Sequence, residues 1–143
     1  MKFTIFLILL SLTGCLDRPA DNSVDNLTLE EIGQRLTGHW KLKRIENNEG
    51  VKEFDLRSNE VKYFEFEGLK GIAANFKDNH DGSFTTESHE PTCELKERGQ
   101  RKIIVYSLIF NDNWEHEIES ISQDELILVD SATTWTYVRF KVD

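Results

Sequence analysis

The sequence predicts an all-β fold: an antiparallel up-and-down meander of roughly eight strands that closes into a barrel, preceded by one short helix. Three observations predict it. Apolar and polar residues alternate at period two along much of the chain, as where Trp40 and Leu42 alternate with Lys41 and Lys43, and Phe64 and Phe66 with Glu65 and Glu67. The breaks between these runs are turn-like, at Glu49-Gly50, Glu67-Gly68, Asp81-Gly82, Arg98-Gly99, Asn111-Asp112-Asn113 and Gln123-Asp124, with no room for crossover helices. A single stretch of helical period stands before the first strand, and a meander of this many strands protects its edges best by closing on itself.

The chain opens on a different kind of segment. Residues 1–14 hold one charge, Lys2, followed by the run 3–12, in which eight of ten residues are apolar. Ten helical residues rise about 15 Å, half of a hydrocarbon core of about 30 Å, so this run is too short to span a membrane comfortably. A basic start, a short apolar stretch and small residues before a break have the layout of a secretory signal. The break itself, Leu12-Thr13-Gly14-Cys15, resembles the lipobox of bacterial lipoproteins. That resemblance implies cleavage before Cys15, lipidation of Cys15 with diacylglycerol and a further acyl chain such as palmitate, and anchoring of the protein in the cell envelope. Leu16 rather than aspartate follows the cysteine, so the resemblance further implies an outer-membrane destination, on its periplasmic or its surface face. With Cys15 lipidated, Cys93 has no partner for an intrachain disulfide and reads as a small buried hydrophobe.

Residues 15–27 read as the lipidated cysteine and a flexible tether, polar and with almost nothing to bury, and residues 28–143 as the folded domain. Thr28 precedes Leu29, Ile32 and Leu36 at helical spacing, with Glu31 placed as in a capping box and Gly38 just beyond, which predicts a helix from Leu29 to Leu36. Strands follow around Trp40 to Leu42, at 51–56, at Phe64 to Phe66, and at 72–76, 83–87, 92–96, 103–110, 114–121, 126–129 and 134–142. In the run 103–110 both faces are equally apolar, and periodicity leaves open which one points inward.

At this point the residues carry a resemblance. Gly38-His39-Trp40, straight after a short helix and opening the first strand, resembles the G-x-W motif of the lipocalin superfamily. Tyr137-Val138-Arg139 resembles the family's terminal strand, and the hairpin from Ile118 to Leu128 is similar to the late hairpin of bacterial lipocalin-like lipoproteins. The resemblance implies a lipocalin-like barrel with Gly38, Trp40 and Arg139 as its structural signature, the guanidinium packing across the indole.

Chemistry finds little foothold. No G-x-S-x-G, P-loop, C-x-x-C, H-E-x-x-H or dinucleotide fingerprint occurs, so no catalytic residue and no cofactor are expected, and a hydrolase is only a remote alternative. The spacing of His80, His89 and Cys93 matches no zinc pattern, and the residues from Asp78 to Gly82 fail the register of a calcium loop, so no metal is expected and a tight hairpin accounts for them better. Glu115, Glu117 and Glu119 share one strand face: either a solvated outer surface or an acidic patch for a basic partner. The opposite face carries Trp114, His116 and Ile118, which with Phe64, Phe66, Tyr106 and Leu108 are the candidate lining of a ligand cavity.

Charge narrows the partners. Among 143 residues, 26 Asp and Glu outweigh 17 Lys and Arg for a net charge of −9, a balance that repels nucleic acid and anionic lipid faces. Membrane contact is thus expected through the N-terminal lipid alone. The expected function is the non-catalytic binding of a small apolar or amphipathic ligand. The alternative is a protein-interaction module, an inhibitor, immunity or envelope-assembly factor with a solid barrel and an acidic surface.

Overall fold

The computed structural model describes residues 23–86, 91–108 and 113–142; the signal segment, Cys15 and His89 lie outside them. Within them the expected tether ends early. Ser23 bridges to Ser120, Val24–Asn26 form a single 3₁₀ turn, and Val24 is buried while Leu27 packs against the core. Two apolar side chains in an otherwise polar stretch suffice to dock it, so residues 23–27 belong to the folded domain, which was expected to start at Thr28.

Helix α1 (Leu29–Leu36) has the bounds its pattern predicts. Thr28 Oγ1 accepts the Glu31 backbone N–H at 3.2 Å while a Glu31 carboxylate oxygen accepts the Thr28 N–H at 2.7 Å, the reciprocal capping box. Ile32 and Leu36 are wholly buried, and the helix closes one end of the barrel.

Among the described residues ten strands follow: β1 (Gly38–Asn47), β2 (Gly50–Glu53), β3 (Glu60–Glu67), β4 (Lys70–Asp78), β5 (Phe84–Thr86), β6 (Thr92–Arg98), β7 (Arg101–Ser107), β8 (Asn113–Ile121), β9 (Glu125–Val129) and β10 (Thr134–Phe140). All pairings are antiparallel. Eight strands, β1, β3, β4 and β6 to β10, make a closed barrel, because β10 returns to β1 with Trp40 opposite Arg139 and Leu42 opposite Tyr137. The run 51–56, expected as an ordinary strand, contributes only the short and fully exposed β2, and the run 83–87 only the three-residue β5.

These two extra strands mark where the barrel wall divides. β1 pairs with β3 only through residues 38–40, and from Arg44 onward it pairs with β2. β4 pairs with β6 only through residues 70–72, and its far end takes β5 at residues 76–78. The far half of the β3–β4 hairpin therefore has no backbone ladder to the main wall on either side, although Asp78 at its end reaches Lys41 of β1 at 4.0 Å.

Inward-facing side chains follow from register. Cys93 opposes Tyr106, Tyr106 opposes Trp114, and Ile104 opposes His116, so the face of β7 that points inside is that of Ile104 and Tyr106. Ile103 points outward yet is buried, flanked by its cross-strand partners Lys96 and Glu117, whose aliphatic stems can shield it. The lower barrel is solid: Trp40, Phe64, Leu95, Ile104, Ile118, Ile121, Leu126 and Leu128 pack with the α1 residues. A smaller aromatic cluster lies on the outer face, where Phe84 of β5 stacks on His39 at 4.9 Å and touches Phe76 and Phe140. It encloses Lys41, whose ammonium donates to the Leu56 carbonyl at 3.0 Å and lies 4.1 Å over the Phe140 ring.

Candidate functional site

The two ends of the barrel differ in kind. At the helix end, Trp40 Nε1 donates to the Leu36 carbonyl at 2.8 Å, and the Arg139 guanidinium lies 4.0 Å over the indole ring. The same guanidinium donates to the carbonyls of Thr37 at 3.0 Å, Gln123 at 2.6 Å and Arg35. Four carbonyls, three of them from the C-terminus of α1, thus find donors from side chains of the barrel. Gly38 has φ +133°, and a Cβ there would sit 2.6 Å from Arg139 Nη1, so the position serves both the backbone turn and the close approach of the arginine. Gly38, Trp40 and Arg139 form a floor; their role is architecture.

The opposite half is open. A cavity of about 330 Å³ lies where β4 parts from β6, lined by Lys62, Ala73, Asn75, Pro91, Tyr106, Leu108 and Trp114. A second cleft of about 300 Å³ lies where β1 parts from β3, with Leu42 and Tyr137 on one side and Lys62 and Asn75 on the other. Lys62 and Asn75 are cross-strand partners and border both spaces.

An aromatic ladder forms one wall. Trp114 stacks on Tyr106 with ring centres 5.1 Å apart and planes within 9°, Tyr106 meets the edge of His116, and His116 leans on Trp135 at 4.7 Å. Burial lowers the His116 imidazole to about 4, with the nearby Lys62 charge adding to the effect, so the ring is neutral at neutral pH. Burial pushes the Tyr106 phenol well above its usual range, so it keeps its proton. Tyr106 Oη and the neutral His116 Nδ1 share a hydrogen bond at 3.1 Å. Cys93 also faces inward, and burial raises its thiol to about 12, which removes it as a nucleophile at neutral pH.

Of the residues expected to line a cavity, Tyr106, Leu108 and Trp114 do so, with Leu108 and Trp114 at the exposed lip. His116 stands behind Tyr106 as its hydrogen-bond partner. Phe64 and Ile118 belong to the solid core below, and Phe66 packs against that core, so these three are corrected from lining to filling. Lys62, Asn75, Ala73 and Pro91 were not foreseen. The signal for Lys62 was present, since it shares the strand phase of the inward Phe64 and Phe66, but a lysine at that phase reads as a surface residue in a strand of mixed polarity.

The remaining candidates sit apart from this space. His80 is an exposed turn residue with φ +59°, its N–H held by Asp78, in a hairpin closed by the Asn79 N–H to the Ser83 carbonyl. Among the described residues no group of three His, Cys, Asp or Glu side chains converges as a metal site would. The outward glutamates are partly neutralised: Glu115 pairs with Arg98 at 2.6 Å and Glu117 with Arg101 at 3.5 Å.

No family model matches the chain, and no curated protein does. Among solved structures it is similar to a lipocalin-like protein from Bacteroides uniformis, with 19% identity over 74% of this chain and 99% of that one and a TM-score of 0.47. It is similar also to an uncharacterized protein from Bacteroides eggerthii, with 13% identity over 73% of this chain and 99% of that one and a TM-score of 0.47.

Proposed function

We propose that this protein is a lipid-anchored binding protein of the bacterial cell envelope that takes one small apolar or amphipathic molecule into the open half of its barrel, without catalysis. The observation that carries the proposal is the contrast between the two halves of one lumen. A barrel of eight strands can be filled by its own side chains, and the lower half is; the upper half instead keeps a cavity walled by Tyr106, Leu108 and Trp114. A space of about 330 Å³ falls at the small end of ligand sites. The ladder from Trp114 to Trp135 offers flat apolar surface at low entropic cost, since each ring is already held by its neighbours. Cys15 would carry the lipid, with the acyl chains supplying the membrane affinity that a net charge of −9 does not.

The acidic-surface alternative is weakened by the pairing of Glu115 and Glu117 with arginines. The test of binding is titration of the protein with the neutral fluorophore N-phenyl-1-naphthylamine, alongside mass spectrometry of an organic extract of the purified chain. Saturable binding near one to one, weakened at least ten-fold by Ala73→Trp, supports the proposal. A clean extract together with no saturable binding overturns it. Anchoring is tested separately: metabolic labelling with an alkyne palmitate should mark the wild type and not Cys15→Ala.

A further inference from the structure

Among the described residues the lumen carries a charge with no counter-charge. Between the rim and the Trp40 floor the described inward positions are aromatic, aliphatic or neutral polar, apart from Lys62. Its Nζ lies 5.4 Å from the centre of the Phe64 ring and 5.5 Å from that of Tyr106, and among the described residues it has no hydrogen bond and no ion pair. Glu60, two residues along the same face, is exposed at the rim opposite Lys77 and makes no ion pair with Lys62. Asn75, directly across from Lys62, is exposed, borders the same two spaces, and among the described residues makes no hydrogen bond from its side-chain amide. His116, the other titratable group on the ladder, is neutral and turns its Nδ1 to Tyr106.

From this placement we propose that the cavity binds an amphiphile by an anionic head group, a carboxylate or sulfonate, with Lys62 Nζ as its counter-ion, Asn75 Nδ2 as a second donor and the apolar tail laid along Tyr106 and Trp114. The inference rests on the lumen being a ligand site, and adds to it the sign of the ligand's charge and its orientation. An ammonium withdrawn from most of its water costs free energy unless it is paired, and cation–π contact with two rings offsets only part of that cost. Burial indeed holds the Lys62 ammonium below the ordinary lysine range. An arriving anion supplies the missing partner inside a low-dielectric space, where the pairing is worth more than at the surface. A cationic amphiphile of the same length meets repulsion instead, so the site discriminates by charge and not only by shape.

The test compares ligands of one chain length: decanoate, decanesulfonate, decanol and decylamine, each displacing N-phenyl-1-naphthylamine from the full mature chain, in wild type and in Lys62→Met. Wild type should bind decanoate or decanesulfonate at least ten-fold more tightly than decanol, and decylamine least tightly of all. Lys62→Met, which keeps the length of the side chain and removes its charge, should bring the anions to within about two-fold of decanol while leaving decanol itself as tight or tighter. Asn75→Ala should weaken the anions by a few-fold and leave decanol unchanged. Equal binding of anion and alcohol by wild type, or an anion preference that survives Lys62→Met, overturns this inference and leaves the ligand site standing. If none of the four displaces the fluorophore and the fluorophore itself fails to bind, both readings fall together.

Discussion

Arg139 offers the sharpest test of how the closed end is held. Replacing it with Met removes three hydrogen bonds to the carbonyls of Arg35, Thr37 and Gln123 and the stacking over Trp40, while keeping much of the aliphatic stem. Two of the three bonds are solvent-facing, so each is worth about 0.5 to 1.5 kcal/mol net, below the usual range for charged partners. The cation–π contact adds about 0.5 to 1 kcal/mol. The sum, about 2 to 5 kcal/mol, is a large part of the 5 to 15 kcal/mol that holds a typical domain folded. With a urea slope of about 1.5 kcal/mol per molar, the midpoint should drop by roughly 1.3 to 3.3 M in unfolding followed by circular dichroism. Arg139→Lys keeps the charge but can reach only one carbonyl, so it should recover less than half of the loss. Native-state hydrogen exchange localises the effect: the amides of α1, whose C-terminal carbonyls are orphaned, should lose protection first. A midpoint unchanged in Arg139→Met, or full recovery in Arg139→Lys, would refute the assignment of the guanidinium fork as the tie between helix and barrel.

The other predictions concern buried titratable groups. His116 is held near 4 in the fold against an ordinary value of 6.5 in the unfolded chain, so the unfolded chain takes up the proton first as pH falls; the resulting stability is complete above pH 6.5 and is lost between about 6.5 and 4. Unfolding midpoints measured from pH 7 to 4 should therefore fall more steeply for wild type than for His116→Gln, and parallel slopes would contradict the assignment. Cys93, buried and with its thiol raised to about 12, should react with an aromatic disulfide reagent at least a hundred-fold more slowly in the folded Cys15→Ser chain than in 6 M guanidinium, where it is an ordinary exposed thiol. Comparable rates in the two states would place the thiol at the surface.

The helix and the barrel class were legible because each rests on local information. Thr28 and Glu31 write their own cap, and β1 and β3 write their inward faces by alternation. Arg139 over Trp40 was legible only through a resemblance, since nothing within either strand says that residues about a hundred positions apart meet. The cavity was half legible. Alternation assigned Tyr106 and Trp114 to one side but carried no information on height along the barrel axis, and height is what separates Phe64 in the packed floor from Lys62 in the open half. Val24 was missed for a related reason: it gains its place on the barrel underside, a surface built by distant segments, just as β5, found within its expected run, takes its place against the outer cluster of His39, Phe76 and Phe140.

The divided wall has a consequence for how occupancy would be felt by the whole chain. The far half of the β3–β4 hairpin has ladder hydrogen bonds to the main wall only near the floor and is held beyond it by side chains, the outer aromatic cluster and the Lys41–Asp78 ion pair, so it can open while the rest of the sheet stays zipped. Asn75 rides on that unit and Lys62 stands at its hinge opposite Trp40, whereas Tyr106 and Trp114 belong to the wall it would leave. A molecule touching both sets spans the seam as a rivet does, and its binding energy becomes resistance to opening, growing as RT ln(1 + [L]/Kd). Loading would then register as slowed exchange of the amides at 60–61 and 74–78, and release would begin by that hairpin lifting away.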